Sequence, residues 1–338
     1  MGDAKSVAWF CAYTPLEILD AAGLAPVRRF GDPASLEAAD AVLHQAICPY
    51  VRACLAAAMG GGAPTPGDND HHAVFVNSCD GMRRLHDAWR ARFPEDFVFL
   101  MDLPRNEDSA GERLLAREFV RLATALEAFT GRVIGAQALR EAALGREQRR
   151  LAYLESSRGL TGAGRLRLAM AFQSSPAVEN PVEGTGVARA GGVPVLLTGN
   201  LLNPDGLVSV LEEAGAVVVR VDLCNGDRAF SSPIRATGDG LEEACLSLAR
   251  GYLDRRPCAR MADTRRRLDL LVEEVRETKA RGVIYAGLKF CDSYLYDFPR
   301  VQRRLREEGV PLLRLESDYA DGHVGQLLTR VEAFLEMI

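Results

Sequence analysis

The sequence predicts an α/β protein made of two Rossmann-like parallel-sheet domains joined by a helical connector. Two observations support this fold class. Short apolar runs rich in β-branched residues alternate with longer helical patterns, which is typical of parallel strands covered by helices. The length of 338 residues also exceeds what one hydrophobic core usually supports, so about two domains are expected.

The N-terminal α/β domain is expected to span residues 1–106. Its predicted strands are Val7–Phe10, Ala73–Asn77 and Phe97–Met101. The helices between them are expected to begin near Pro15, to lie within Pro33–Leu55 and to begin at Gly81.

Residues 107–190 are expected to form the helical connector and a linker. The first part, up to Phe172, is heavily charged and has a helical pattern. The segment Ser174–Gly192 contains two prolines and four glycines, a composition that favours a linker.

The C-terminal domain, residues 191–338, is expected to be a doubly wound unit. Its predicted strands are Pro194–Thr198, Ala216–Asp222, Gly282–Leu288 and Pro311–Glu316. The predicted helices are Asp205–Ala214, Ala262–Ala280, Pro299–Glu308 and Gly322–Phe334.

Composition and charge exclude several classes of function. A net charge of −5 and the lack of a Lys/Arg tract argue against nucleic acid as a partner. No stretch is long and apolar enough to cross a membrane, and the N-terminus does not resemble a secretory signal. A cytoplasmic location is therefore expected, where the eight cysteines would stay reduced and be available for metal binding, catalysis or simple burial.

Three cysteines occupy positions where an open α/β sheet usually binds ligands. Cys79 and Cys291 each follow a predicted strand and precede a helix, and both are followed by aspartate. Cys48 precedes Pro49, and proline is favoured at the first position of a helix. A helix N-terminus favours the thiolate, the form that binds iron, so the three positions are chemically suited to a metal.

The spacing of these cysteines is wide. Cys48 and Cys79 are 31 residues apart, and Cys79 and Cys291 are 212 residues apart, so no compact zinc or ferredoxin motif is present. From spacing alone, burial as an ordinary apolar side chain is the favoured interpretation of any single cysteine.

Several sequence blocks, in one order, resemble the family of 2-hydroxyacyl-CoA dehydratase and benzoyl-CoA reductase subunits. The blocks are CAYTPLEILDAAGLAPVRRFGDP, ICPYVRACLAAA, VFVNSCDGMRRLHDAW, VFLMDLPR, GVIYAGLKFCDSYLYDFPRVQRRLREEGVPLLRLESD and GQLLTRVEAFLE. The likeness runs from Cys11 to the C-terminus and is weaker in the connector.

The resemblance implies a 4Fe-4S cluster bound by Cys48, Cys79 and Cys291, with one iron left without a protein ligand. It also implies single-electron reduction of an acyl-CoA thioester, leading to loss of water or reduction of the acyl group. The electrons would come from a separate ATP-dependent activator protein. The absence of a G-x-x-x-x-G-K-[ST] motif here agrees with ATP being bound elsewhere.

The resemblance also implies a base that removes a proton from the β-carbon of the substrate. Glu17 is the candidate, with Thr14 as an orienting hydroxyl. A purely structural interpretation stands beside it, because Thr14-x-x-Glu17 with Pro15 matches a helix capping box.

The remaining cysteines fall into two sets. Cys11, Cys54 and Cys224 lie in matching blocks and are expected either to be core residues or to bind a double-cubane 8Fe-9S cluster. Cys54 is six residues after Cys48, so the two should face different directions on one helix. Cys245 and Cys258 lie in no motif and are expected to be structural.

Three functions remain open at this stage. The chain could be a catalytic subunit, in a homodimer or in a heterodimer with a homologous chain. It could instead be a non-catalytic electron-transfer or double-cubane cluster protein. A third interpretation is an iron-free protein of the same lineage.

Overall fold

The structure is a computed structural model that describes residues 5–60, 71–175, 186, 191–319 and 324–338. It contains two four-stranded sheets, in which every strand pair is parallel. The two sheets confirm the predicted α/β class. No helix in the described ranges is long and apolar enough to span a membrane.

The first sheet has the strand order β2-β1-β3-β4. Its elements are β1 (Ser6–Trp9), α1 (Leu16–Ala21), β2 (Ala25–Arg28), a 3₁₀ helix (Pro33–Ala39), α2 (Pro49–Ala58), β3 (Ala73–Asn77), α3 (Asp80–Arg92) and β4 (Val98–Asp102). The sequence did not predict β2. It is a short edge strand that contains Pro26, and an edge position tolerates the missing amide.

Three helices follow the first sheet, as predicted for the connector. They are α4 (Ser109–Thr130), α5 (Ala136–Ser156) and α6 (Gly162–Ser174). The Asp108 carboxylate caps α4 by accepting hydrogen bonds from the amides of Ala110 and Gly111, and Gly131 ends the helix with φ of 73°. Most of the predicted linker Ser174–Gly192 lies outside the described residues.

The second sheet has the analogous order β6-β5-β7-β8. Its elements are β5 (Val193–Gly199), a π-helical turn (Pro204–Val208), α7 (Ser209–Glu213), β6 (Ala216–Asp222), a 3₁₀ helix (Asp227–Phe230), α8 (Leu241–Asp254), α9 (Arg265–Thr278), β7 (Gly282–Leu288), α10 (Asp292–Glu307), β8 (Leu312–Ser317) and α11 (Val324–Met337). The bounds of β3, β6 and β7 agree with the sequence prediction.

Two helices differ from the prediction. α10 begins at Asp292 and not at Pro299, because its buried face starts at Tyr294 and continues through Val301 and Leu305 at helical spacing, with the proline inside the helix. The sequence also did not predict α8. This helix packs against α4, where the rings of Tyr252 and Phe119 meet edge to face at 5.5 Å.

Both sheets share part of their core. Phe75 of β3 and Tyr285 of β7 belong to one continuous set of buried apolar side chains. The Tyr319 hydroxyl donates a hydrogen bond to the Phe30 carbonyl at 2.9 Å and so links the two halves. In each sheet the strand order reverses between the two central strands, and such switch points are where open α/β sheets bind ligands.

Candidate functional site

Cys48, Cys79 and Cys291, here called the cysteine group, each stand directly before a helix. They precede α2, α3 and α10 respectively. The sulfur atoms of Cys48 and Cys291 accept hydrogen bonds from amides in the first turn of the helix that follows each of them. Cys79 and Cys291 also follow the central strands β3 and β7, so these two thiols are placed at the carboxyl ends of the two sheets.

The structure brings the cysteine group together. The thiols of Cys79 and Cys291 are close enough to Cys48 to raise its pKa electrostatically, and Cys79 likewise raises the pKa of Cys291. Gly81 lies between the first two: a methyl group added there would be 3.8 Å from both the Cys48 Cβ and the Cys79 Sγ. The Asn200 side chain, which follows β5, hydrogen-bonds to Cys291.

Burial changes the acidity of these thiols in a direction opposite to the one expected from their helix positions. Burial raises the pKa of the Cys48 thiol to about 12, and the neighbouring Cys291 and Cys79 thiols add to this effect. Burial likewise raises the pKa of Cys291. The helix amides favour the thiolate, as expected, but the loss of hydration on burial outweighs their effect on the pKa of both thiols.

A guanidinium faces the cysteine group. Burial acts to lower the pKa of Arg260. Nearby thiols outweigh this effect and hold the Arg260 pKa well above its ordinary value; they are those of Cys79, Cys258, Cys291 and Cys11. Arg260 Nη1 donates a hydrogen bond to Cys258 Sγ at 3.2 Å, whereas its buried Nε has no hydrogen-bond partner among the described residues. A cation with an unpaired donor beside several thiols is suited to an anionic group between them.

Cys258 belongs to this environment, although the sequence indicated only a structural residue. Burial acts to raise its pKa, but Arg260 and Arg228 outweigh burial and lower it. Its Sγ is 3.9 Å from the Tyr294 hydroxyl. In the sequence, the feature that could have indicated this environment is Arg260, two positions after Cys258. Cys245, by contrast, is fully buried in the core around α8, as expected.

The other cysteines divide differently from the sequence expectation. Cys11, Cys224 and Cys258 form a second thiol group. Burial, together with the nearby Cys224 and Cys258 thiols, raises the pKa of Cys11 to about 11. The buried Arg28 of β2 fixes Cys224 through hydrogen bonds to its Sγ at 3.0 Å and its carbonyl at 2.9 Å. Cys54 instead contacts the Arg29 carbonyl at 3.7 Å and does not join this group.

A site for a single metal ion is not formed in the described parts of the chain: no three His, Cys, Asp or Glu side chains there are placed to hold one ion. The cysteines of an iron–sulfur cubane bind different iron atoms, so their sulfur atoms do not converge on one point. The three thiols and the unpaired Arg260 Nε fit an anionic cluster better than a single ion.

Glu17 and Thr14 do not form the capping box that their spacing indicated. The Thr14 hydroxyl is buried and has no hydrogen-bond partner in the described residues. Glu17 Oε2 instead accepts a hydrogen bond of 2.7 Å from the Tyr252 hydroxyl, which in turn accepts one from the Leu16 amide. The capping-box interpretation of this motif is therefore wrong.

The buried Glu17 lines a cavity of about 70 Å³. Trp9 and Phe172 form apolar parts of its wall, while Arg146 and Arg255 supply positive charge. A carboxylate held by one tyrosine in such a cavity has the surroundings of a general base.

Similarity to known proteins extends over nearly the whole chain. The family model for "2-hydroxyglutaryl-CoA dehydratase, D-component" matches residues 11–338. The chain is 28% identical to the putative dehydratase subunit YjiM of Escherichia coli, covering 98% of this chain and 91% of that protein. It is 27% identical to a benzoyl-CoA reductase subunit from Thauera aromatica (99% and 91%), and 22% identical to the (R)-phenyllactyl-CoA dehydratase beta subunit from Clostridium sporogenes (99% and 92%).

Proposed function

This chain belongs to the family of the 2-hydroxyglutaryl-CoA dehydratase D-component, and from that premise we propose that it is an iron–sulfur subunit of an acyl-CoA dehydratase or reductase. The observation that carries the proposal is the convergence of Cys48, Cys79 and Cys291 at three helix N-termini. The relatives are named as subunits of dehydratases and of a benzoyl-CoA reductase, so membership of an enzyme complex follows for the family.

Cys48, Cys79 and Cys291 would hold a 4Fe-4S cluster. When bound, such a cluster supplies single electrons and, at an iron without a protein ligand, a Lewis acid. The protein contributes the Arg260 guanidinium, which offsets the negative charge of the thiolates. It also contributes the amides of Tyr50 and Val51, which hydrogen-bond to the Cys48 sulfur.

Glu17 would take up the proton that leaves the β-carbon of a 2-hydroxyacyl-CoA substrate. The Tyr252 hydroxyl holds the carboxylate in place at 2.7 Å, and the Arg255 guanidinium stacks on the Tyr252 ring at 4.2 Å. The Thr14 hydroxyl remains available to orient a substrate oxygen. The cavity walls of Trp9 and Phe172 would keep water away from the carboxylate.

A complete enzyme of this type needs partners. We expect a homodimer or a heterodimer with a homologous subunit, an acyl-CoA substrate, and an ATP-dependent activator protein that delivers electrons. A cytoplasmic location agrees with reduced cysteines.

An alternative function is favoured by one observation. Cys11, Cys224 and Cys258 provide a second set of thiols, which would suit a non-catalytic electron-transfer protein with a double-cubane 8Fe-9S cluster. This set differs from the one expected from sequence, because Cys258 takes the place of Cys54.

The test is anaerobic purification followed by iron and sulfide analysis and electron paramagnetic resonance. About four irons per chain and a spectrum that changes when a 2-hydroxyacyl-CoA is added would support the catalytic role. About eight irons and no response to acyl-CoA would favour the alternative. Trace iron alone would exclude both proposals.

A further inference from the structure

An arginine-rich cleft of about 520 Å³ lies between the connector helices and the second sheet. Its lining includes Arg165 of α6, Arg220 of β6 and Arg256, which follows α8. Phe230 and Leu154 add an apolar wall. The volume falls within the range of roughly 300–1,000 Å³ that is typical of small-molecule sites.

Two of the acidic side chains in the cleft are already saturated from within the protein. Asp227 accepts hydrogen bonds from the Tyr153 hydroxyl at 2.5 Å and the Val221 amide at 3.0 Å, and it pairs with Arg165 at 3.2 Å. Asp222 accepts hydrogen bonds from Thr198 at 2.7 Å and from Arg228 at 3.0 Å. These carboxylates hold the walls of the cleft together.

The remaining arginines of the cleft outnumber the carboxylates that they pair with. Arg220 Nε lies 2.8 Å from Glu274 Oε1, and Arg256 Nη1 lies 3.0 Å from Glu274 Oε2. Both pairs have ion-pair distances but not hydrogen-bond angles, so these buried nitrogen atoms have no hydrogen-bond partner in the described chain. Arg256 Nε also lies 3.6 Å from Asp222 Oδ1, which pairs with Arg228 as well, so three guanidiniums share two carboxylates.

The Glu274 carboxylate is only partly charged near neutral pH. Burial, and then the charge of Asp222, raise the pKa of Glu274 to about 7, against the opposing effects of Arg256 and Arg220, while Asp227 adds to the rise. As the pH falls through 7, Glu274 gains a proton and the cleft becomes more positive.

We propose that this cleft binds the phosphate groups of a phosphate ester whose apolar part lies against Phe230. Planar guanidiniums bind phosphate oxygens with paired, charge-assisted hydrogen bonds, and several such donors converge here. The lining of the cleft contains no member of the cysteine group, although its Arg228 also acts electrostatically on Cys258.

Isothermal titration calorimetry on the full chain tests the proposal, with pyrophosphate, ADP and coenzyme A as separate probes. At least one probe should bind saturably, and Arg165→Gln should weaken that binding by about tenfold or more. Arg167→Gln is the matched control, because Arg167 lies on the same helix but does not line the cleft and pairs with Asp205.

Glu274→Gln gives a change in the opposite direction, which misfolding cannot imitate. It should strengthen binding at pH 8 and remove the rise in affinity that the unmodified chain shows between pH 8 and pH 6. ADP binding more tightly than coenzyme A would identify a nucleotide as the source of the phosphate, and the reverse would identify the coenzyme. No saturable binding of any probe, or equal affinity in the Arg165 and Arg167 variants, would overturn the proposal.

Discussion

At the scale of single residues, the cysteine group is governed by burial and by one nearby charge. Burial raises the pKa of the Cys48 thiol to about 12 and so favours its protonated form. Arg260 acts in the opposite direction by favouring thiolates around it.

Replacement of a cluster ligand tests the assignment of the site. Cys79→Ala or Cys291→Ala should remove most of the bound iron from anaerobically purified protein, because each substitution deletes one thiolate. Cys245→Ala should retain it, since Cys245 is buried in a separate apolar core. Equal iron content in all three folded variants would refute the assignment.

Arg260→Gln should lower the reduction potential of the bound cluster, because an added electron would lose a nearby positive charge. A redox titration followed by electron paramagnetic resonance measures this shift. Arg265→Gln is the control, since Arg265 is exposed and pairs with Asp263. A potential that is the same in both variants would show that Arg260 does not act on the cluster.

Glu17→Gln should reduce turnover by about a hundredfold or more if Glu17 is the base, while iron content and melting temperature stay close to those of the unmodified chain. The amide can still accept the hydrogen bond from Tyr252. Steady-state kinetics with a 2-hydroxyacyl-CoA, beside iron analysis, measure both properties. Full activity in this variant would leave Glu17 with a structural role only.

At the scale of elements, the sequence predicted the strands and helices whose hydrophobic pattern lies within the element itself. β3, β6 and β7 are rich in apolar and β-branched residues, and their bounds were predicted correctly. β2 was missed because a four-residue edge strand that contains Pro26 is too short to show a clear strand pattern of hydrophobic residues. The contact between Arg28 of this strand and Cys224 was therefore not predicted either. The positions of Cys48, Cys79 and Cys291 before helices were readable from sequence, but the approach of Cys258 to Arg260 depends on tertiary folding.

The N-terminus of α4 offers a test at this scale. Asp108→Ala should lower the free energy of unfolding by about 1 kcal/mol, because the amides of Ala110 and Gly111 lose their acceptor. Chemical denaturation followed by circular dichroism measures the change. Asp239→Ala, at an exposed residue whose carboxylate receives no hydrogen bond in the described chain, should have a much smaller effect. Similar losses in both variants would contradict the capping role.

At the scale of the whole molecule, the two sheets do not behave as separate bodies. Their facing sides share one core, and α8 returns from the second half of the chain to pack on α4. The candidate site lies where the two halves meet, and the arginine-rich cleft lies where the connector meets the second half. Charge buried at these junctions therefore affects the stability of the entire fold.

The buried Glu274 carboxyl should make the free energy of unfolding depend on pH. The Glu274 pKa is about 7 in the folded chain, above the ordinary 4.5, so the folded state binds more protons between these values and the free energy of unfolding falls as the pH rises through them. Glu274→Gln should remove up to about 3 kcal/mol of this fall, measured by denaturation at pH 5 and pH 8. Glu277→Gln, at the exposed neighbour, should retain it; identical pH profiles for the two variants would contradict the burial of charge at Glu274.

The distance of 243 residues between Cys48 and Cys291 has a consequence for how the protein is made. Two of the three thiols leave the ribosome long before the third has been synthesised. If the three thiols hold the proposed cluster, a chain interrupted between them, or one whose second sheet has not formed, would lack one of the three ligands. Acquisition of the metal would then require that both halves had been translated and had packed against each other.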